Sequence, residues 1–302
     1  MNTKIVYSLI SDSNDYYLEQ LILSIISLKK YNPTAYVEVV TDNKTEQSLI
    51  GWRSVLHNIV DRITIADIPK DLDNIRKSRY LKTTLRSIIN GDYLFLDTDT
   101  IICSSLASID DFSENIMMVA DCNDPIGLQD VKVLKLCKTI GFESMQGKAY
   151  YNSGVILVKD SAISHSFYEL WHSNWQKSTS KGINLDQPSL NYTNHKLGDK
   201  IQELPGIWNC QIYFKGFNSL YNAKVMHYAG GGSNNQIKEI YRIIRTEGVA
   251  SKKIKKYIKH TRTSLYMYLT SNDRSFNNRI MLLLNVKYHK LYQLLTKIFF
   301  HH

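Results

Sequence analysis

Residues 4 to 10, Lys4-Ile5-Val6-Tyr7-Ser8-Leu9-Ile10, form an apolar run that reads as a buried strand. From Tyr17 to Lys30 the apolar positions shift to 18, 21, 22, 25, 26 and 28, the spacing of an amphipathic helix, which Tyr31-Asn32-Pro33 closes. Tyr36 to Val40 predicts a second strand and Ile63-Thr64-Ile65 a third. A helix around Ser78 to Ile89 and the strand Tyr93-Leu94-Phe95-Leu96 follow. This alternation predicts an α/β fold with a largely parallel sheet, whose ligand crevice lies at the carboxyl ends of the strands, just after Ile10, Val40 and Leu96.

Further strands are expected at 116–120, 155–158 and 224–228, and the stretch Gly230-Gly231-Gly232-Ser233-Asn234-Asn235 reads as a flexible loop. Beyond it, Ile237, Ile240, Tyr241 and Ile244 fall at helix spacing, followed by Lys252-Lys253-Ile254-Lys255-Lys256 and an apolar stretch from Ile280 to Phe300. The catalytic domain is therefore expected to span residues 1–232, with a helical extension over 233–302.

Charge sharpens that boundary. The net charge of +9 in 302 residues suggests a nucleic-acid binder, but residues 1–232 carry 23 Lys and Arg against 25 Asp and Glu. Residues 233–302 carry 14 against 3, so the whole excess lies in the extension, and no nucleic-acid recognition motif accompanies it. The expectation is a near-neutral body with a basic tail over residues 238–300, which acts as a lid or docks on an anionic membrane surface.

A composition of 43% hydrophobic and 22% charged residues, with 14 Gly and 5 Pro, excludes disorder and collagen-like order. Cys103, Cys122, Cys137 and Cys210 are widely spaced, which argues against a thiolate metal cluster or a disulfide scaffold and for reduced thiols in the cytoplasm. The N-terminal apolar run is too short for a signal peptide, and no stretch reaches spanning length.

The candidate chemistry begins at Asp97-Thr98-Asp99, after the buried strand 93–96. In extended backbone, alternate side chains share a face, so the two carboxylates are expected on one side with α-carbons roughly 7 Å apart. Such a pair can hold a hard divalent cation that also takes phosphate oxygens. His227 closes a later apolar strand before three glycines, and an imidazole beside two carboxylates suits Mn²⁺ or Mg²⁺. A sugar nucleotidyltransferase would carry a glycine-rich loop after its first strand, and Ser11 to Tyr17 contains no glycine.

These residues resemble the GT-A-fold glycosyltransferases, specifically glycosyltransferase family 8, the glycogenin and lipooligosaccharide galactosyltransferase type. Ser11-Asp12-Ser13-Asn14-Asp15-Tyr16-Tyr17 is similar to the family's first loop, Tyr80-Leu81-Lys82 to its basic segment, with Arg79 beside it, and Tyr151-Asn152-Ser153-Gly154-Val155-Ile156-Leu157-Val158 to its F-N-A-G-V-L-L-I segment. Asn184-Leu185-Asp186-Gln187-Pro188-Ser189-Leu190-Asn191 is similar to its D-Q-D-x-L-N segment. The resemblance implies a UDP-sugar donor bound by Ser8, Leu9, Tyr17, Arg79, Lys82, Asp97, Thr98 and Gly230, with the metal on Asp97, Asp99 and His227. It implies that Asn152, Asp186 and Gln187 act on the sugar, and that a hexosyl unit passes to a glycan or lipid-linked acceptor with retention, as in bacterial surface polysaccharide synthesis. The family's final motif reads H-x-x-G-x-x-K-P-W, and here Ser233 stands in place of its Lys with no Pro-Trp after it, so either another cation faces the diphosphate, from Lys82, Arg79 or the basic tail, or the donor is held differently. Asp121 and Asp124, in the loop after strand 116–120, offer the alternative of a general base for an inverting transfer.

Overall fold

The structure, a computed structural model, describes residues 1–124, 131–142, 145, 147–212, 215–228, 235–263, 284 and 288–299. Ten strands are described: β1 (Lys4–Leu9), β2 (Val37–Thr41), β3 (Arg62–Ile65), β4 (Tyr93–Leu96), β5 (Thr100–Ile102), β6 (Ile116–Ala120), β7 (Tyr151–Val158), β8 (Ile201–Glu203), β9 (Cys210–Gln211) and β10 (Val225–His227). The helices are α1 (Tyr17–Tyr31), α2 (Asn43–Gln47), α3 (Val55–Ile59), α4 (Asn74–Ile88), α5 (Val131–Ile140), α6 (Ala162–Ser180), α7 (Gln187–Lys196), α8 (Asn235–Glu247), α9 (Lys252–His260) and α10 (His289–Phe299).

Seven strands form one sheet in the order β3-β2-β1-β4-β7-β6-β8, and β5-β10-β9 form a second. The first four strands of the large sheet are mutually parallel, β7 runs antiparallel to β4 and to β6, and β6 and β8 are parallel. This is the largely parallel α/β sheet that the alternation of elements predicts.

Both faces of the sheet are covered, which is why its strands read as continuous apolar runs. Ile5, Tyr7, Leu9, Leu94, Leu96, Val155 and Leu157 point into one core with α1, while Val6, Phe95, Ile156 and Val158 point into the other with α4 and α6. The first core does not stop at residue 232. Ile237, Ile240, Tyr241 and Ile244 of α8 and Ile254 and Ile258 of α9 belong to it, so these helices are packed onto the body. Lys252, Lys253, Lys255, Lys256 and Lys259 of α9 all point outward. The expected stretch from Ile280 to Phe300 is described only in part, and Gly230 and Ser233 lie outside the described residues.

Three further features depart from expectation or add to it. The helix expected from Ser78 starts a turn earlier, at Asn74, because Asp73 caps it by accepting from the Arg76 amide at 2.8 Å. All four cysteines are buried and joined by no disulfide, and burial pushes the Cys103 thiol up to about 12. No helix among the described residues is long and apolar enough to cross a membrane.

Candidate active site

The register of the sheet brings the candidate residues to one rim. Parallel pairing of β1 with β4 sets Ser8 and Leu9 beside the end of β4, and antiparallel β7 delivers its first residues, Asn152 to Gly154, to the same edge. The Asp97 amide donates to the Gly154 carbonyl at 2.8 Å. Asp97-Thr98-Asp99 is not extended backbone, as the sequence pattern suggests; it is a tight turn in which the Thr100 hydroxyl donates to the Asp97 carbonyl at 2.8 Å. The turn arises because the chain leaves the large sheet at Leu96 and enters the small one at Thr100, where β5 pairs with β10 and sets Thr100 opposite His227.

That pairing places an imidazole over the turn. One potential ligand atom from each of Asp97, Asp99 and His227 lies within 4.8 Å of the others. Nε2 of His227 is 3.2 Å from Asp99 Oδ1, and Nδ1 is 3.0 Å from Asn209 Oδ1. The Asn209 amide group in turn donates to Asn152 Oδ1 at 2.9 Å, which fixes its oxygen toward the histidine. Nδ1 therefore carries a proton, and Nε2 faces Asp99, the position from which a bound cation would displace any second proton. Burial opposes charge on His227, but Asp99 and then Asp97 outweigh it and hold its pKa above the ordinary value.

Gly154 leaves the room this ring needs, since a Cβ there would lie 2.4 Å from His227 Cε1. Two carboxylates and one imidazole nitrogen that converge in this way fit a hard or borderline divalent cation.

Two cavities meet at Arg79 and Asp97. One, of about 280 Å³, is lined by Ser8, Leu9, Tyr17, Ile75, Thr98 and Asp99 among others. Tyr17 is 49% exposed at its mouth. The other, of about 270 Å³, is lined by Lys82, Asn152, Asp186, Gln187 and His227, with Leu136 and Leu185 at its apolar side. The residues picked from the sequence thus divide between two adjoining spaces.

Lys82 is only 2% exposed and is spent on protein carboxylates: Nζ lies 2.7 Å from Asp97 Oδ1 and 3.6 Å from Asp186 Oδ2. It also donates to the Ser153 carbonyl at 3.1 Å. Arg79 is the more accessible cation, with Nε 3.1 Å from Asp186 Oδ1, close enough for an ion pair but outside hydrogen-bond alignment. Asp186 stands at the N-cap of α7 without capping it. Its carboxylate instead meets Lys82, Arg79 and, at 2.8 Å, the Ser153 hydroxyl. Burial alone would raise its pKa, but the two cations and the hydroxyl outweigh burial and hold it at about 2.

Asn152 is engaged on all sides, donating to Asp121 Oδ1 at 2.9 Å and accepting from the Gly154 amide at 2.9 Å and from Asn209. Asp124 is buried. Asn209 carries no signal in the sequence: its partner lies 18 residues away, and nothing local in Trp208-Asn209-Cys210 points to it.

A sequence model of glycosyl transferase family 8 matches residues 8–233. The chain belongs to glycosyltransferase family 8. It is accordingly a glycosyltransferase, and its architecture is the GT-A fold of solved relatives. The galactosyltransferase LgtC, solved in complex with donor and acceptor sugar analogs, aligns with a TM-score of 0.55 at 16% identity, over 90% of this chain and 99% of that one. Mouse xyloside xylosyltransferase 1, in its apo form, aligns with a TM-score of 0.52 at 12% identity, over 76% and 98%. The glycosyltransferase GlyE of Streptococcus pneumoniae gives 0.54 at 14% identity, over 86% and 64%. A comparison with curated protein sequences finds no match.

For this glycosyltransferase the match ends at residue 233, before α8, so the helices that complete its first core lie beyond the family segment. The loop from Ser11 to Tyr17 has its own construction. With no glycine available, the Asp15 carboxylate ties the loop by accepting from the Ser11 hydroxyl at 2.8 Å and from the amides of Asp12 at 2.9 Å and Tyr17 at 3.0 Å.

Proposed function

We propose that this glycosyltransferase moves a hexosyl unit from a UDP-sugar to a glycan or lipid-linked acceptor, with retention of anomeric configuration and with Mn²⁺ or Mg²⁺ bound by Asp97, Asp99 and His227. The observation that carries the reading is the convergence of those three ligands on the boundary between two adjoining cavities. The first cavity suits the nucleotide, with Tyr17 and Ile75 as apolar surfaces for the base. The second suits the sugar and the incoming hydroxyl.

When bound, the cation neutralises charge that develops on the departing diphosphate. Arg79, at the junction of the cavities, supplies the further positive charge that the family draws from the Lys replaced by Ser233. Asp186 orients sugar hydroxyls, held rigid by its own partners. Gln187, whose Oε1 accepts from the Ser153 amide at 3.4 Å, faces the reacting carbon.

Retention is favoured over inversion by the state of the carboxylates. An inverting transfer needs a base near the acceptor oxygen, and a carboxylate at about 2 is a poor one. Asp97 is committed to Lys82 and the cation, and Asp121 to the Asn152 amide. The proton of the acceptor hydroxyl then leaves with the diphosphate oxygen as the sugar–oxygen bond breaks and the new glycosidic bond forms.

The outward lysines of α9, together with the exposed Tyr288, Leu291 and Leu294 around α10, support docking on an anionic membrane surface. A lipid-linked acceptor in bacterial surface polysaccharide synthesis would be reached there. The test of the function is to offer a panel of UDP-hexoses with Mn²⁺, follow UDP release, and determine the product anomer by NMR. Turnover of one donor with retained configuration is expected; no turnover of any donor, or an inverted product, contradicts the proposal.

A further inference from the structure

The helix α8 lies beyond the family segment, yet two of its side chains reach into the frame of the donor site. Arg245 and Tyr241 are four residues apart and so share a face of the helix. Arg245 Nη2 donates to the Asp15 carbonyl at 2.8 Å, and its Nε pairs with the Glu19 carboxylate, which is 0% exposed. The guanidinium also lies 4.9 Å from the Tyr16 ring centre and 5.5 Å from that of Trp52. Asp15 is the residue whose carboxylate knots the donor loop, and Tyr16 precedes Tyr17 at the mouth of the nucleotide cavity.

Tyr241 reaches the metal side of the same frame. Its ring stacks on Tyr16 with centroids 5.4 Å apart, and its hydroxyl meets that of Tyr228 at 3.1 Å. Tyr228 follows His227, and its amide donates to the Asp99 carbonyl at 3.1 Å. Gln20, whose side chain lies beside the Tyr241 hydroxyl, accepts from the Thr98 hydroxyl at 3.2 Å in the middle of the Asp97–Asp99 turn. One helix face therefore grips both the loop that presents Tyr17 and the turn that presents the two carboxylates.

Charge points the same way. Asp12, Asp15 and Glu19 would repel an approaching diphosphate, and Arg245 balances them together with Arg53, which donates to the Asp12 carbonyl at 2.8 Å and the Ser11 hydroxyl at 3.2 Å.

We infer that Tyr241 and Arg245 are positioning residues for the donor: α8 sets the spacing between the nucleotide base surface and the metal turn, so that donor affinity depends on a helix outside the family segment. This rests on the UDP-sugar reading above.

The test uses the full chain, with kinetics under Mn²⁺ and UDP calorimetry. Arg245→Ala alone would strand the Glu19 carboxylate, so the informative variant is the neutral pair Glu19→Gln/Arg245→Gln, with Tyr241→Phe beside it. The pair is expected to raise the donor KM about tenfold, with kcat and acceptor KM within about twofold and Tm nearly unchanged. Arg245→Lys keeps the charge on Glu19 but loses the flat contact with Tyr16 and the bond to Asp15, and is expected to fall between. A folded neutral pair with wild-type donor KM and UDP affinity overturns the inference alone. So does a fall in kcat and a rise in both KM values that track a loss in Tm, which would mark a purely structural role. Wild-type protein that binds no UDP overturns the donor reading and this inference with it.

Discussion

Nδ1 of His227 lies 3.0 Å from the side-chain oxygen of Asn209, and this contact decides which ring nitrogen faces the two carboxylates. Without it the imidazole is free to turn or to change tautomer. We predict that Asn209→Ala lowers Mn²⁺ affinity by roughly 10- to 100-fold, with activity falling in parallel at limiting metal. Electron paramagnetic resonance of Mn²⁺ titrations measures this directly. Unchanged affinity would mean that the ring is oriented by something else.

Lys82 and Arg79 both face Asp186 but differ in burial, and the two substitutions should separate accordingly. Lys82→Met leaves two carboxylates without their buried partner and is expected to cost about 3 to 5 kcal/mol of stability. Arg79→Ala, at a partly exposed position, is expected to cost about 1 kcal/mol or less while raising the donor KM strongly. Denaturant unfolding of both variants checks this; equal losses would refute the division of labour.

The depressed pKa of Asp186 makes stability depend on acid. Its folded value of about 2 lies below the ordinary 3.8, so its contribution is present at neutral pH and above about 4. That contribution is lost as pH falls from about 4 toward 2, and amounts to about 2 kcal/mol. We predict that Asp186→Asn flattens this part of the acid limb in thermal unfolding measured from pH 2 to 6. An unaltered acid limb would assign the pairing energy elsewhere.

Gly154→Ala puts a methyl group 2.4 Å from the unshifted position of His227 Cε1 and 2.9 Å from Asn152 Oδ1. Either the ring or β7 must yield, at an expected cost of about 1 to 3 kcal/mol. Metal affinity should fall more than stability does. A variant that binds Mn²⁺ normally would show that the ring has slack to spare.

Much of this was legible in the chain because the signals are local. The apolar runs at 4–10 and 93–96 mark the strands, Asp97 follows the second of them, and His227 ends β10. The turn at Asp97–Asp99 was not legible, since apolar residues on both sides of Asp-Thr-Asp read as one extended strand, and only the second sheet reveals the break. The family resemblance implies that Lys82 faces the donor, whereas burial of α4 against the sheet brings its ammonium onto two carboxylates. The boundary at residue 232 follows charge, whereas the core follows apolar positions, and in α9 the two occupy opposite faces. Arg245 and Asp15, 230 residues apart, could be joined only by the fold.

The central claim is that Asp97, Asp99 and His227 hold a cation which in turn holds a nucleoside diphosphate. Calorimetric titration of UDP into the protein, with Mn²⁺ and then with chelator, repeated on Asp99→Ala, tests it most directly. The account predicts binding that requires Mn²⁺ and is lost in the variant. Equal binding in chelator, or undiminished binding to Asp99→Ala, would contradict it.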